Sequence, residues 1–267
     1  MQDGYKGGVR WEMLFDTHAH YCDDQYGKDR DETIRRAKEN GVEYIVSASS
    51  DVASSVENVT LSQNYDFIYA AVGVHPHNTL DLNNDIISAL ADFASYPKVV
   101  AVGEIGLDYY YDNSPREVQK VWFTRQISMA RELKLPIVIH DREAHEDTMS
   151  IIKSENAKEV GGVMHCFSGS VEMAAEVMKQ NFFISVAGTV TFKNAKRIID
   201  VVKYVPDDML LIETDCPYMA PEPHRGHRNE SSYIKLIAEQ IAKIKGKPLE
   251  YIEQITTSNA KRLFGIQ

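Results

Sequence analysis

The chain has 267 residues, 43% hydrophobic and 25% charged, with 29 Lys plus Arg against 39 Asp plus Glu for a formal charge of −10. Those proportions suit a globular enzyme and exclude a disordered chain, a collagen-like fibre and a small disulfide scaffold. No apolar run approaches the roughly 18 residues of a membrane span, and so acidic a chain needs a local positive site before any polyanion can bind it.

A length near that of a single α/β barrel, about 250 residues, points to one domain. Residues 1–12 lack the apolar core of a secretory signal and have no place in the pattern that follows. They read as an N-terminal extension, an upstream start or a vector remnant, with the folded unit over 13–267. Cys22, Cys166 and Cys216 form no CxxC pair and leave an odd one, so free thiols and a cytoplasmic location are expected.

From Met13 onward, short apolar runs rich in β-branched residues alternate with amphipathic stretches. Strands are expected at 13–16, 43–48, 67–73, 98–104, 136–140, 162–166, 182–186 and 209–215. Helical patterns lie between them, such as DETIRRAKEN closed by Gly41 and PREVQKVWFTRQISMARELK opened by Pro115. Two more follow the last strand, with Gly246 and Pro248 at their join. Continuous apolar strands separated by helices imply a parallel sheet with helices outside. About eight such units favour a TIM-type (β/α)8 barrel. An open doubly wound sheet is the alternative, disfavoured because no GxGxxG opens a helix after the first strand.

The informative residues stand at the strand ends. His18, His20, His140 and His165 lie at carboxyl ends of expected strands, and Glu104 and Asp215 end two more. In a barrel those ends converge on one mouth. Side chains two apart on a strand share a face, so His18 and His20 can address the same ion. Imidazole with carboxylate is ligand chemistry for Zn, Mn, Fe or, with enough oxygen, Mg. Six candidates exceed the needs of one tetrahedral ion; with one carboxylate shared they suit a two-metal site. Two divalent ions would also concentrate positive charge in one cleft of an acidic molecule.

FDTHAHY at 15–21, GVHPH at 73–77, GEIGLDYY at 103–110, LPIVIHDREA at 135–144, HCFSG at 165–169, ETDCPYMAPEPHRGHRNE at 213–230 and NAKRLFG at 259–265 occur in an order that resembles the TatD family of metal-dependent deoxyribonucleases. The resemblance runs from Met13 to the C-terminus. It implies an amidohydrolase-like barrel in which His18, His20, Glu104 and Asp215 hold one ion and Glu104 bridges to a second held by His140 and His165. It implies two divalent ions per chain, Mg2+ in function with Zn2+ or Mn2+ as alternatives, and hydrolysis of a DNA phosphodiester by a metal-held water. Asp215 would take the water's proton, with Glu104 as the shared catalytic carboxylate. The implied partner is DNA, single-stranded or at ends, with RNA possible, on a monomer or small homo-oligomer.

Around that centre, Glu213 is a candidate to orient a ligand, or else a barrel-interior carboxylate paired to Lys or Arg. Arg142, two residues after His140, should face the same mouth, and Arg225, His227 and Arg228 lie beyond the last strand, where barrels often bind phosphate. One of these arginines is expected to pair with Glu222 or Glu230. His75 and His77 either meet substrate or hydrogen-bond their loop. His145 reads as a surface or helix residue and Asp108 as a loop anchor. Tyr109, Tyr110 and Tyr111 either stack a base or cap the barrel. Cys166 and Cys216 should point away from the mouth, because each follows a candidate ligand on a strand. The loop departs from the family's usual run, with His224, His227 and Ser231 where Tyr, Lys and Pro are commoner, which bears on substrate contacts and not on the metals. A hydrolase of amides or esters, or a metal-stabilised interaction protein without turnover, are the other readings, and fold alone does not choose.

Overall fold

In a computed structural model that describes residues 13–267, the chain forms one eight-stranded sheet in the order β1 to β8, every adjacent pair parallel. The strands are β1 (Leu14–Ala19), β2 (Val42–Ala48), β3 (Ile68–Val72), β4 (Val99–Asp108), β5 (Ile137–Arg142), β6 (Gly162–Met164), β7 (Phe182–Val186) and β8 (Leu210–Ile212). Helices α1 (Arg30–Glu39), α2 (Val52–Asn64), α3 (Asn84–Phe93), α4 (Arg116–Leu133), α5 (His145–Ser154), α6 (Val171–Lys179) and α7 (Lys196–Tyr204) fall between the strands. Two more, α8 (Ile234–Lys245) and α9 (Leu249–Phe264), follow β8. The sheet curls until β8 meets β1: Ala19 bridges Cys216, and the Asp215 N–H donates to the His18 carbonyl at 2.9 Å. The result is a nearly closed (β/α)8 barrel, as the strand–helix alternation predicts. The domain boundary at residue 12 lies outside the described residues.

Every strand contributes to a shared interior cluster (Phe15, Val46, Ala71, Val100, Ala101, Val138, Val163, Phe183 and Leu211). Ala260, Phe264 and Ile266, at the end of α9, pack against it. With that interior filled by side chains, chemistry is confined to the mouth. Local signals start and stop the helices: Asp51 and Ser54 cap α2 reciprocally, Ser170 caps α6, and Gly246 and Gly265 end α8 and α9 in the left-handed conformation. Pro115 stands one residue before α4 rather than inside its first turn.

Three strand ends differ from expectation in ways that matter for the site. β4 continues past Glu104 to Asp108, because it pairs with β5 over its whole outer half, Gly106 opposite His140 and Asp108 opposite Arg142. Gly106, at φ +147°, approaches the His140 carbonyl so closely that a β carbon there would overlap it, so only glycine fits. β6 and β8 stop at Met164 and Ile212, so His165, Glu213 and Asp215 stand on the loops just beyond them. Among the described residues no helix is long and apolar enough to cross a membrane.

Candidate metal centre

Six side chains from β1, β4, β5 and the loops after β6 and β8 meet at the barrel mouth. His18 and His20, two apart on one edge, bring their Nε2 atoms to 3.0 Å. Each lies 3.3 Å from Glu104 Oε2, and Asp215 Oδ1 completes the group at 3.8 Å from His18 and 3.5 Å from His20. Four donors about 2.1 Å from one tetrahedral ion stand ~3.4 Å apart, so these spacings fit a single cation.

The other oxygen of Glu104 faces a different set. Oε1 lies 2.7 Å from His140 Nδ1 and 2.8 Å from His165 Nε2, and those two nitrogens are 3.3 Å apart. His75 Nε2 stands at 3.5 Å from the same oxygen, so His75 joins the rim of this second set. The two oxygens of Glu104 thus each face a separate set of candidate donors. Buried and half-buried nitrogen and oxygen atoms of six residues crowd together here, and between His18 Nε2 and His20 Nε2, 3.0 Å apart, one shared proton is the most that can satisfy both atoms.

The electrostatics agree. Burial alone would raise Glu104 and Asp215, yet both are held below the usual carboxylate range, Glu104 by His165, His75 and His18, and Asp215 by its hydrogen bond to His20. Burial penalises the His20 cation, but Asp215 and Glu104 outweigh it and lift the ring to about 10. His165 is pushed up against its burial by Glu104. His18 and His75 go the other way, kept neutral chiefly by burial, the form a metal ligand requires. Two ionised carboxylates among five histidines, of which His18 and His75 are held neutral, give this cavity the donor set of a candidate cation site.

The outer nitrogens of His20, His140 and His165 each face an oxygen, whereas His18 Nδ1 is buried without a hydrogen-bond partner among the described residues. His20 Nδ1 faces the Ala48 carbonyl at 3.2 Å, and His140 Nε2 faces Asp108 Oδ2 at 3.1 Å. His165 Nδ1 lies 3.3 Å from Glu213 Oε1, which also accepts the Cys166 N–H at 2.6 Å. Glu213 therefore sits behind His165 with no Lys or Arg on it among the described residues, and it does not share a strand face with Asp215, since both lie beyond β8. Asp215, at φ 55°, and Cys166, at φ 40°, adopt the left-handed conformation rare for side-chain-bearing residues. The alternation argument therefore fails for Cys166, whose thiol is pushed up by burial and by Asp215, Glu213 and Glu104, placing it beside the centre. Cys216 is buried in the core as expected.

The predicted substrate residues divide. Arg142 leans over the rings of Tyr110 and Tyr111, at 4.2 and 4.9 Å, and both tyrosines are exposed on the lip. Tyr109 instead bonds Asp147 through its hydroxyl and carries Arg116 on its ring. Arg225 is exposed and stacks on Phe192 at 4.2 Å; His227 is exposed on the same loop. Arg228 is turned away, forked onto Asp29 at 2.6 and 2.7 Å and packed over Tyr26. Its partner is Asp29 rather than Glu222 or Glu230, because Glu230 is taken by Arg36 at 2.7 Å. His77 reaches Asp108 Oδ2 at 2.9 Å, and His145 pairs with Asp141 at 2.7 Å.

Two carboxylates do more than the sequence reading assigned. Asp108 orients His140 from a strand that runs four residues past its expected end at Glu104. Asp16 is fully buried and accepts from the Thr214 N–H at 2.8 Å, the Thr214 hydroxyl at 2.5 Å and the Ser231 hydroxyl at 2.6 Å, tying β1 to the loop that carries Asp215. Burial raises it to about 7. The departure at Ser231 thus serves this contact, while His224 stacks flat on Tyr233.

A nearly closed parallel barrel with a histidine–carboxylate centre at its mouth defines a metal-dependent hydrolase. The family model for TatD-related DNases matches residues 15–265, and the chain belongs to that family. It is 52% identical to the metal-dependent hydrolase YabD of Bacillus subtilis, itself uncharacterized, over 95% of this chain and 100% of that one. It is 32% identical to the 3'-5' ssDNA/RNA exonuclease TatD of Erwinia tasmaniensis, over 95% and 100%. Among solved structures, the TatD homologue YjjV of Escherichia coli K12 superposes with a TM-score of 0.89 at 29% identity, over 95% and 98%.

Proposed function

We propose that the protein is an exonuclease that hydrolyses phosphodiesters of single-stranded DNA or frayed ends, with RNA as a second substrate, using two divalent ions. The observation that carries this reading is Arg142. It stands at the lip of the cation site with no carboxylate in ion-pair contact among the described residues, and it lies over two exposed tyrosines. An amide substrate has no use for that cation, whereas a phosphate does, and the tyrosines offer a base a stacking face. The naming of similar proteins as ssDNA/RNA exonucleases supports the same direction, 3'-5' polarity included.

His18, His20 and Asp215 with Glu104 Oε2 would hold one ion, and His140 and His165 with Glu104 Oε1 the other. Bound there, the ions supply Lewis acidity at the phosphate and make water acidic enough to attack near neutral pH. Four of the six ligands are imidazoles, which suits Zn2+ or Mn2+ better than the Mg2+ expected from the family resemblance. Asp215 commits Oδ1 to the His18 and His20 side, so Oδ2 accepts the proton of the attacking water. Glu104 keeps the two donor sets in register. Asp108 and Glu213 hold His140 and His165 in the tautomers that leave the inner nitrogens unprotonated. Arg142 positions the phosphate. The three free cysteines support a reducing, cytoplasmic setting.

The test uses metal-stripped protein, 5'-labelled single-stranded DNA and RNA, and added Mg2+, Mn2+ or Zn2+, with Asp215→Asn in parallel. Stepwise shortening by the wild type alone is the expected result. Two ions bound with no cleavage of either polymer would overturn the reading in favour of amide or ester hydrolysis.

A further inference from the structure

A groove of about 600 Å³ opens between α5, α6 and the start of α7, its lining including His145, Met149, Lys153, Ser170, Met173 and Arg197. That volume is within the range of small-molecule sites. Both walls begin next to ligands. His145 is paired with Asp141, the neighbour of His140, and Arg197 reaches the carbonyl of Ser168, three residues after His165, at 3.5 Å. Lys153 is bound to Glu176 at 3.3 Å, an ion pair that links α5 to α6 across the groove.

We propose that this groove receives the nucleotide next to the scissile bond, with its phosphate on Arg197 and its base against Met149 and Met173. The proposal rests on the phosphodiester reading above. Charge and shape support it together. Arg197 is exposed and has no carboxylate in ion-pair contact among the described residues, its guanidinium reaching the Ser168 carbonyl. His145 adds a second cation-capable ring held by Asp141. The two thioethers are half-buried against the core and give an apolar, polarizable floor that a base can cover. Glu146 is the acidic group on the rim, and it opposes an anion there. Track binding of this kind matches an acidic protein that must gather its few cations locally.

The experiment measures KM for single-stranded oligonucleotides of two to twelve nucleotides, with bis(p-nitrophenyl) phosphate as the substrate too short to reach the groove. For the wild type, KM should fall with length. Arg197→Ala should raise KM for the dodecamer about tenfold relative to the dinucleotide, and flatten the salt dependence by about 0.7 in log–log slope. Arg197→Lys should recover part of the loss, and Glu146→Gln should lower KM for the dodecamer, a gain that a purely structural role for the groove does not produce. A wild-type KM independent of length, or an Arg197→Ala profile equal to wild type, would overturn the groove proposal. Failure to cleave every oligonucleotide and the small diester would instead overturn the phosphodiester reading beneath it.

Discussion

Asp108 holds His140 from behind: its Oδ2 lies 3.1 Å from Nε2, while Nδ1 on the other side of the ring faces Glu104 at 2.7 Å. The same carboxylate accepts the Tyr110 and Tyr111 N–H groups through Oδ1, at 3.0 and 2.9 Å, so one residue fixes both a ligand and the lip that carries Arg142. His140 donates to Asp108 against the effect of burial and holds that carboxyl well below its usual range.

Asp108→Asn should therefore weaken metal binding by about 10- to 100-fold while the barrel stays folded, because the imidazole loses its charged anchor. Calorimetric titration of Zn2+ or Mn2+ into stripped protein measures this. Unchanged affinity would reduce Asp108 to a loop anchor.

Glu104→Gln removes the charge that both histidine sets share. Metal content, read by elemental analysis of dialysed protein, should fall to one ion or none per chain. A variant that still holds two would exclude the bridge.

Asp215→Asn should cut turnover by roughly 10²- to 10⁴-fold, the usual worth of a positioned proton acceptor, with the melting temperature kept within a few degrees. Near-normal turnover would take Asp215 out of that role.

The two arginines should separate cleanly. Arg142→Ala should raise KM for oligonucleotides about tenfold through a lost phosphate contact. Arg228→Ala should leave KM near wild type and lower stability by about 0.5–1 kcal/mol, the scale of a partly exposed pair with Asp29. Equal KM effects from both would place Arg228 back at the substrate.

His145 offers a pH readout at the groove. Its hydrogen bond to Asp141 raises it above 6.5 against the cost of burial. The stabilisation is full below the unfolded value of about 6.5 and is lost as pH rises through the higher folded value. An NMR titration should find the His145 midpoint above 6.5, and Asp141→Asn should return it towards 6.5. A midpoint indifferent to that substitution would disconnect the pair.

The barrel was legible because a parallel strand buried on both faces must read as a continuous apolar run, and eight such runs occur. The grouping of His18, His20, His140 and His165 was legible because their strand ends have one place to converge. Asp108 was not, because the apolar run of β4 ends near Glu104 and only pairing with β5 carries the strand four residues further. Cys166 and Asp215 were misjudged as strand residues, since positive φ on a side-chain-bearing residue leaves no mark in an apolar pattern. The partner of Arg228 was equally hidden: Glu222 and Glu230 are near in sequence, yet Asp29 is near in space.

Sequence alone determined the periodicity, and with it the barrel, the converging ligands and the family to which the motifs belong, because these depend on order along the chain. Tertiary structure alone decided which oxygen of Glu104 faces which histidines, which arginine lies over the lip tyrosines and which is consumed by a carboxylate. Those outcomes are set by distances of 3 to 4 Å between residues far apart in sequence, where Coulomb and hydrogen-bond energies change steeply and sequence spacing carries no information.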